Sequence, residues 1–156
     1  MADMAGPVIG AIVSIGGGIW SAINAYRSKQ EQNRAAVGAM LNKAIELAMQ
    51  YPHLERDAYC KAWPEPDGEK TAQSYQDDKD RYDNYCCFIF NMIHTAWVLA
   101  NGKPHKIDEM LTFREYVMRH CCWWVKEDSN VHFFEQEFRN FIGSIIDDLK
   151  RKGQCT

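Results

Sequence analysis

The sequence predicts an all-α protein in two parts, an N-terminal transmembrane helix over residues 1–26 and a four-helix cytoplasmic bundle over residues 27–156. The first observation behind this is a division of charge. All 18 Lys and Arg residues lie at or after Arg27, as do 20 of the 21 acids, so the first 26 residues carry only Asp3, together with five of the 10 glycines. The second is the recurrence of apolar residues at three- and four-residue intervals in the later segments, with no sustained strand alternation. The third is length: 156 residues make about one domain, and residues 27–156 can bury a small core but not a second catalytic domain. A composition of 46% hydrophobic and 25% charged residues with net charge -3 excludes a disordered tail, a collagen and a wholly membrane-embedded protein.

Residues 7–26 form a run without a charge, which as a helix rising about 1.5 Å per residue spans roughly 30 Å of hydrocarbon. Gly16, Gly17 and Gly18 each weaken a water-exposed helix by about 1 kcal/mol, whereas in lipid they let neighbouring helices approach closely. Gly6 and Gly10 have GxxxG spacing, and Ser14, Ser21 and Asn24 add polar atoms suited to another helix or to water. These positions predict a self-associating helix. Arg27, Lys29 and Arg34 follow the run and only Asp3 precedes it, so the positive-inside bias places the N-terminus outside and the bundle in the cytoplasm of an inner-membrane, single-pass protein. A cleaved signal peptide fits poorly, because no basic residue precedes the run and no small-x-small site ends it. The alternative is a glycine-rich helix buried in a soluble oligomer.

From Arg27 the helix is expected to continue through Val37, Met40, Leu41, Ala44 and Ala48 until Pro52 stops it. Pro64, Pro66 and Gly68 mark a loop within residues 53–76. A second helix is expected from Asp77 or Asp78, with the acidic run Asp77, Asp78 and Asp80 in its first turn. Its apolar stripe is Tyr82, Tyr85, Cys86, Ile89, Phe90, Ile93, Ala96, Trp97 and Ala100, ended by Asn101 and Gly102 as a C-cap. A third helix is predicted over 107–126, burying Met110, Phe113, Val117, Cys121 and Trp124. Asp128, Ser129 and Asn130 supply turn and N-cap chemistry for a last helix carrying Phe134, Phe138, Phe141, Ile142, Ile145 and Leu149. Lys150, Arg151 and Lys152 suit its C-terminus.

The sequence contains no Walker loop, GxSxG, HExxH or EF-hand loop. No metal and no cofactor is expected, because Cys87 and His94 stand two helical turns apart, too far for a compact local pair of ligands. The six cysteines are read as thiols, since Cys86 with Cys87 and Cys121 with Cys122 point to different helix faces and are poor candidates for bonding to each other, and a reducing cytosol disfavours disulfides. Tyr85, Asn91, His94 and Trp97 lie on or beside the second helix's buried face, where a pocket is imaginable but hydrogen-bonded core residues are the commoner case. His132, Glu135 and Glu137 read as a solvated face.

Arg114 and His120 have five residues between them, and this spacing resembles the R-x4-6-H motif of the HEPN superfamily of helical RNases. The resemblance implies a dimer whose Arg and His side chains face one cleft and cut RNA without metal, with Arg114 stabilising phosphate charge and His120 moving a proton. At 100° per residue the two fall on opposite flanks of the third helix's stripe. The overall acidity weakens RNA binding. The order of parts, an apolar N-terminal helix before a small HEPN-like bundle, also resembles the membrane accessory proteins of type VI-B RNA-targeting CRISPR systems. That resemblance implies a ring of subunits whose membrane helices line a pore in antiviral defence.

Three functions follow as expectations. The first is a membrane-anchored homo-oligomer acting as a channel-like or scaffold component, with membrane lipid and further copies of the chain as partners. The second is a HEPN-type RNase using Arg114 and His120 on an RNA partner. The third is a non-catalytic module that binds a ligand or a protein at the membrane.

Overall fold

The computed structural model describes residues 6–61, 72–126 and 130–155, with the side chains of residues 6–20, 72–75 and 130 outside the description. Among the described residues the chain is all-helical, without strands: α1 (Gly6–Gln50), a 3-10 turn (Pro52–Glu55), α2 (Asp57–Lys61), α3 (Ala72–Leu99), α4 (Pro104–Asp108), α5 (Phe113–Arg119), α6 (Cys121–Trp124), a second 3-10 turn (Asn130–Phe133) and α7 (Gln136–Arg151). The contacts divide the chain into two compact units, Met1–Ala36 and Val37–Thr156.

The first unit is helical from Gly6 onward. Ile23 and Tyr26 are exposed in it, and the Gln30 amide donates to the Tyr26 hydroxyl at 2.9 Å. Of the expected pore positions, Ser21 and Asn24 are exposed, while the side chains at Gly6, Gly10, Ser14, Gly16, Gly17 and Gly18 lie outside the described residues. Among the described residues no helix is long and apolar enough to cross a membrane. This overturns the expected single-pass anchor and its inner-membrane orientation. A charge-free run is not thereby an apolar one. Glycine brings no apolar side chain, and Ser14, Ser21 and Asn24 oppose insertion. From residue 27 the same helix carries Arg27, Lys29, Glu31 and Arg34.

The second unit is built around α3. Tyr82, Cys86, Ile89, Phe90, Ile93 and Ala96 are fully enclosed along the expected stripe. Met92 is buried as well, so α3 is covered over more than one narrow face. Asn101 (φ 51) and Gly102 (φ 68) end it as expected, the Gly102 amide donating to the Trp97 carbonyl at 2.9 Å. This bond caps a helix whose next residues have left the helical path. The helix begins at Ala72, so Asp77, Asp78 and Asp80 lie inside it rather than in its first turn. There Asp78 approaches Arg81 at 3.6 Å and His53 at 3.7 Å.

Residues 107–126 are not one helix. The chain leaves helix after α4, re-enters at Phe113, and breaks again at His120, whose φ of -106° and ψ of 18° end α5 and open α6. The His120 amide still donates to the Tyr116 carbonyl at 3.0 Å, which closes α5, and the His120 side chain is fully enclosed. As a result α5 packs against α2, α3, α6 and α7 at once. Helix α7 buries Phe138, Ile142, Ile145, Ile146 and Leu149, each contributing about 1.5–3 kcal/mol on removal from water. Its N-cap is Glu135, without a side-chain cap bond. Asp128 and Ser129 lie outside the described residues, as does the side chain of Asn130, the third residue of the expected cap, and so do Pro64, Pro66 and Gly68.

Cys121 and Cys155 form a disulfide, with Cα atoms 6.3 Å apart. This corrects the reading of six thiols. Adjacent cysteines indeed do not pair, but Cys121 meets a residue 34 positions away that the fold of α7 returns to it. Closing a loop of that length constrains the unfolded chain, and Cys155→Ser is expected to cost about 2–4 kcal/mol. Urea unfolding of the variant, and of the parent protein with and without reductant, measures it. The reduced parent should fall to the stability of the variant.

Candidate functional site

Three chain segments meet at one carboxylate. Pro52 lacks the amide that would continue α1, and the 3-10 turn that follows buries Leu54 and directs Glu55 inward. Helix α3 supplies Tyr82 and Tyr85, one turn apart. The break between α5 and α6 supplies Arg119 and His120. Glu55 Oε2 accepts from Arg119 Nη1. Glu55 Oε1 accepts from the Tyr85 hydroxyl and, at 3.3 Å, from His120 Nε2.

His120 is fully enclosed. With Nε2 donating to Glu55, its Nδ1 is the acceptor for the Tyr82 hydroxyl at 3.0 Å, an assignment set by the network. The Cys86 and Cys60 sulfurs lie 3.7 and 3.9 Å from the same nitrogen. Two thiols and an imidazole thus converge, but the Tyr82 hydroxyl occupies the point on which they converge. Among the described residues no group of three could hold a metal.

The electrostatics follow from this burial. Desolvation alone raises the Glu55 pKa, but hydrogen bonds from His120, Tyr85 and Arg119 outweigh it and hold the carboxyl at about 2. The bond to Glu55 raises Arg119 in turn. Burial pushes the Cys60 thiol up to about 11, and it also raises Cys86, Tyr82 and Tyr85, the last aided by the hydrogen bond to Glu55. Near neutral pH Glu55 and Arg119 are therefore charged, while the tyrosines and the two thiols stay protonated.

Glu55, Tyr85 and Arg119 also line a groove of about 620 Å³. One wall is the α1 face of Ala44, Ile45, Ala48 and Met49, at helical spacing. The other is Thr112, Glu115, Tyr116 and Arg119, spaced i, i+3, i+4 and i+7 on α5 and the residue before it. One wall is apolar and the other polar. A second cavity of about 390 Å³ shares Arg119 and lies over the Cys121–Cys155 disulfide.

The chain has no significant match among protein-family models, curated proteins or solved structures.

The structure does not bring Arg114 to His120 within the chain. Arg114 is exposed, its guanidinium 5.2 Å from the Phe113 ring centre, whereas His120 bonds Glu55 and Tyr82. The break at His120 makes the difference. It turns the imidazole into the core, where its Arg neighbour is Arg119. The four residues considered for a pocket also separate. Tyr85 lines the groove, Asn91 is exposed, and His94 meets Glu135 at 3.0 Å beside Trp97. His132 and Glu137 are exposed. Sequence reasoning missed Glu55, Tyr82 as a hydrogen-bond partner, Arg119 and Glu115. A lone Glu after a Pro-initiated turn carries no periodic signal, and Glu55 lies 64 residues from Arg119.

Proposed function

We propose that the chain is a non-catalytic binding module that takes a small amphipathic molecule in the groove between α1 and α5. The observation behind this reading is the union of an apolar wall with a pre-assembled polar one, in a volume of about 620 Å³ that falls in the range of small-molecule sites. The protonation states favour binding over bond-breaking. Glu55 and Tyr85 hold one protonation state near neutrality, the thiols of Cys60 and Cys86 are buried, and His120 has both ring nitrogens engaged. A general acid or base needs a proton it can exchange near the working pH. The RNase alternative draws less support, because His120 is enclosed while Arg114 faces solvent.

Ala48→Leu tests this reading, since it places a side chain in the groove from a half-buried position on α1. In a thermal-shift screen of small amphipathic compounds, a true ligand at a hundredfold its Kd raises stability by about 2.7 kcal/mol, or roughly 5–10 °C in Tm. The shift should vanish in Ala48→Leu. No shift with any compound, or equal shifts in both proteins, counts against the groove as a ligand site.

A further inference from the structure

We infer that the groove selects a cation: its ligand is an aliphatic ammonium whose chain lies on the α1 face and whose head group meets Glu115. This rests on the reading of the groove as a ligand site and names the ligand's charge. Arg119 is the basic residue among the groove's lining side chains, which also include the carboxylates of Glu55 and Glu115. Its guanidinium is occupied, however. Nη1 donates to Glu55 Oε2, and Nε lies 3.9 Å from Asp57, so its charge is neutralised from two sides.

Glu115 differs. It stands one helical turn before Arg119, where an i, i+4 pair can form, but Arg119 turns to Glu55 instead. Glu115 is exposed, and among the described residues its carboxylate has no ion-pair partner. With Glu55 matched by Arg119, and Asp57 by Lys61 at 3.7 Å, Glu115 leaves the local balance negative. Tyr85 and Tyr116 also line this groove, and tyrosine rings attract cations over their faces. Burial raises the Tyr116 pKa, with the charge of Glu55 adding to the rise, Arg119 opposing it and Glu115 adding a smaller part. An anionic amphiphile meets this field unfavourably, and a neutral one leaves Glu115 unanswered.

The test uses the full chain, labelled with nitrogen-15 and titrated separately with octylammonium, octanoate and 1-octanol, on the parent protein and on Glu115→Gln. Octylammonium is expected to move the amide resonances of residues 44–49 and 112–119. Loss of a charge-assisted hydrogen bond should weaken it about tenfold in Glu115→Gln, while octanoate leaves these resonances in place. Glu115 is exposed, so the variant is expected to keep the parent's spectrum elsewhere. If octanoate or 1-octanol binds the groove as tightly as octylammonium, or if Glu115→Gln leaves octylammonium affinity unchanged, cation selectivity is overturned and the binding module stands. If none of the three moves these resonances, both readings fall.

Discussion

Glu55→Ala is expected to lower the unfolding free energy by about 3–5 kcal/mol, the cost of breaking a buried ionic network at its centre. The loss has a specific source. Arg119 is 38% exposed and can turn to water, so its share is small. His120 is enclosed and Tyr85 nearly so, and the substitution leaves each with an unanswered donor. Urea unfolding of parent and variant gives the difference directly. Glu55→Gln keeps an acceptor and should recover part of it. A loss under about 1 kcal/mol would show that the donors find other partners and that the network does not hold this end of the bundle together.

The same carboxylate makes stability depend on pH. Its folded pKa, about 2, lies below the ordinary value of 4.5, so the native state binds this proton less readily than the unfolded chain. The contribution of Glu55 is therefore complete above about pH 4.5 and is lost as pH falls toward 2. Allowing for solvent screening on the groove side, it amounts to about 2 kcal/mol. The difference in stability between the parent protein and Glu55→Gln should shrink by that amount across this interval. A constant difference would mean that the ionised form is not what the donors stabilise.

Phe138→Ala is the second large effect, with an expected loss of about 3–5 kcal/mol. Phe138 is fully enclosed and joins α7 to the aromatic side of α3. Its ring centre lies 4.8 Å from that of His94, 5.2 Å from Phe134 and 5.7 Å from Trp97, with Trp124 and Phe141 near 6 Å. Alanine leaves a cavity bounded by these rings, which are held by other contacts and collapse only partly. Phe138→Leu should cost much less, because most of the volume remains. Chemical denaturation with an unchanged m-value would assign the effect to packing. A cost near 1 kcal/mol would mean that α7 moves in to fill the space.

These two residues differ in how readily the sequence discloses them. Phe138 stands in a periodic series with Phe141, Ile142, Ile145 and Leu149, and the spacing of that series is enough to declare a helix and its buried side, although Phe134, expected on the same helix, is buried two residues before α7 begins. The stripe on α3, the stop at Pro52 and the cap at Asn101 and Gly102 are legible for the same reason, since each depends on residues within about one turn. Glu55 belongs to no series. Its partners lie 30, 64 and 65 residues away, and their convergence depends on a break in what the periodicity of residues 107–126 describes as one helix.

By itself, the sequence determined the helical class, the buried faces and the helix ends at Pro52 and Gly102, because backbone sterics and apolar spacing act over a few residues. The tertiary structure decided the rest. It chose Arg119 over Arg114 as the neighbour of His120, joined Cys121 to Cys155, and set an apolar face of α1 opposite a polar face of α5. Each depends on where distant segments pack, and a buried carboxylate, which must find donors wherever the fold brings them, carries no local sign of which ones it will find.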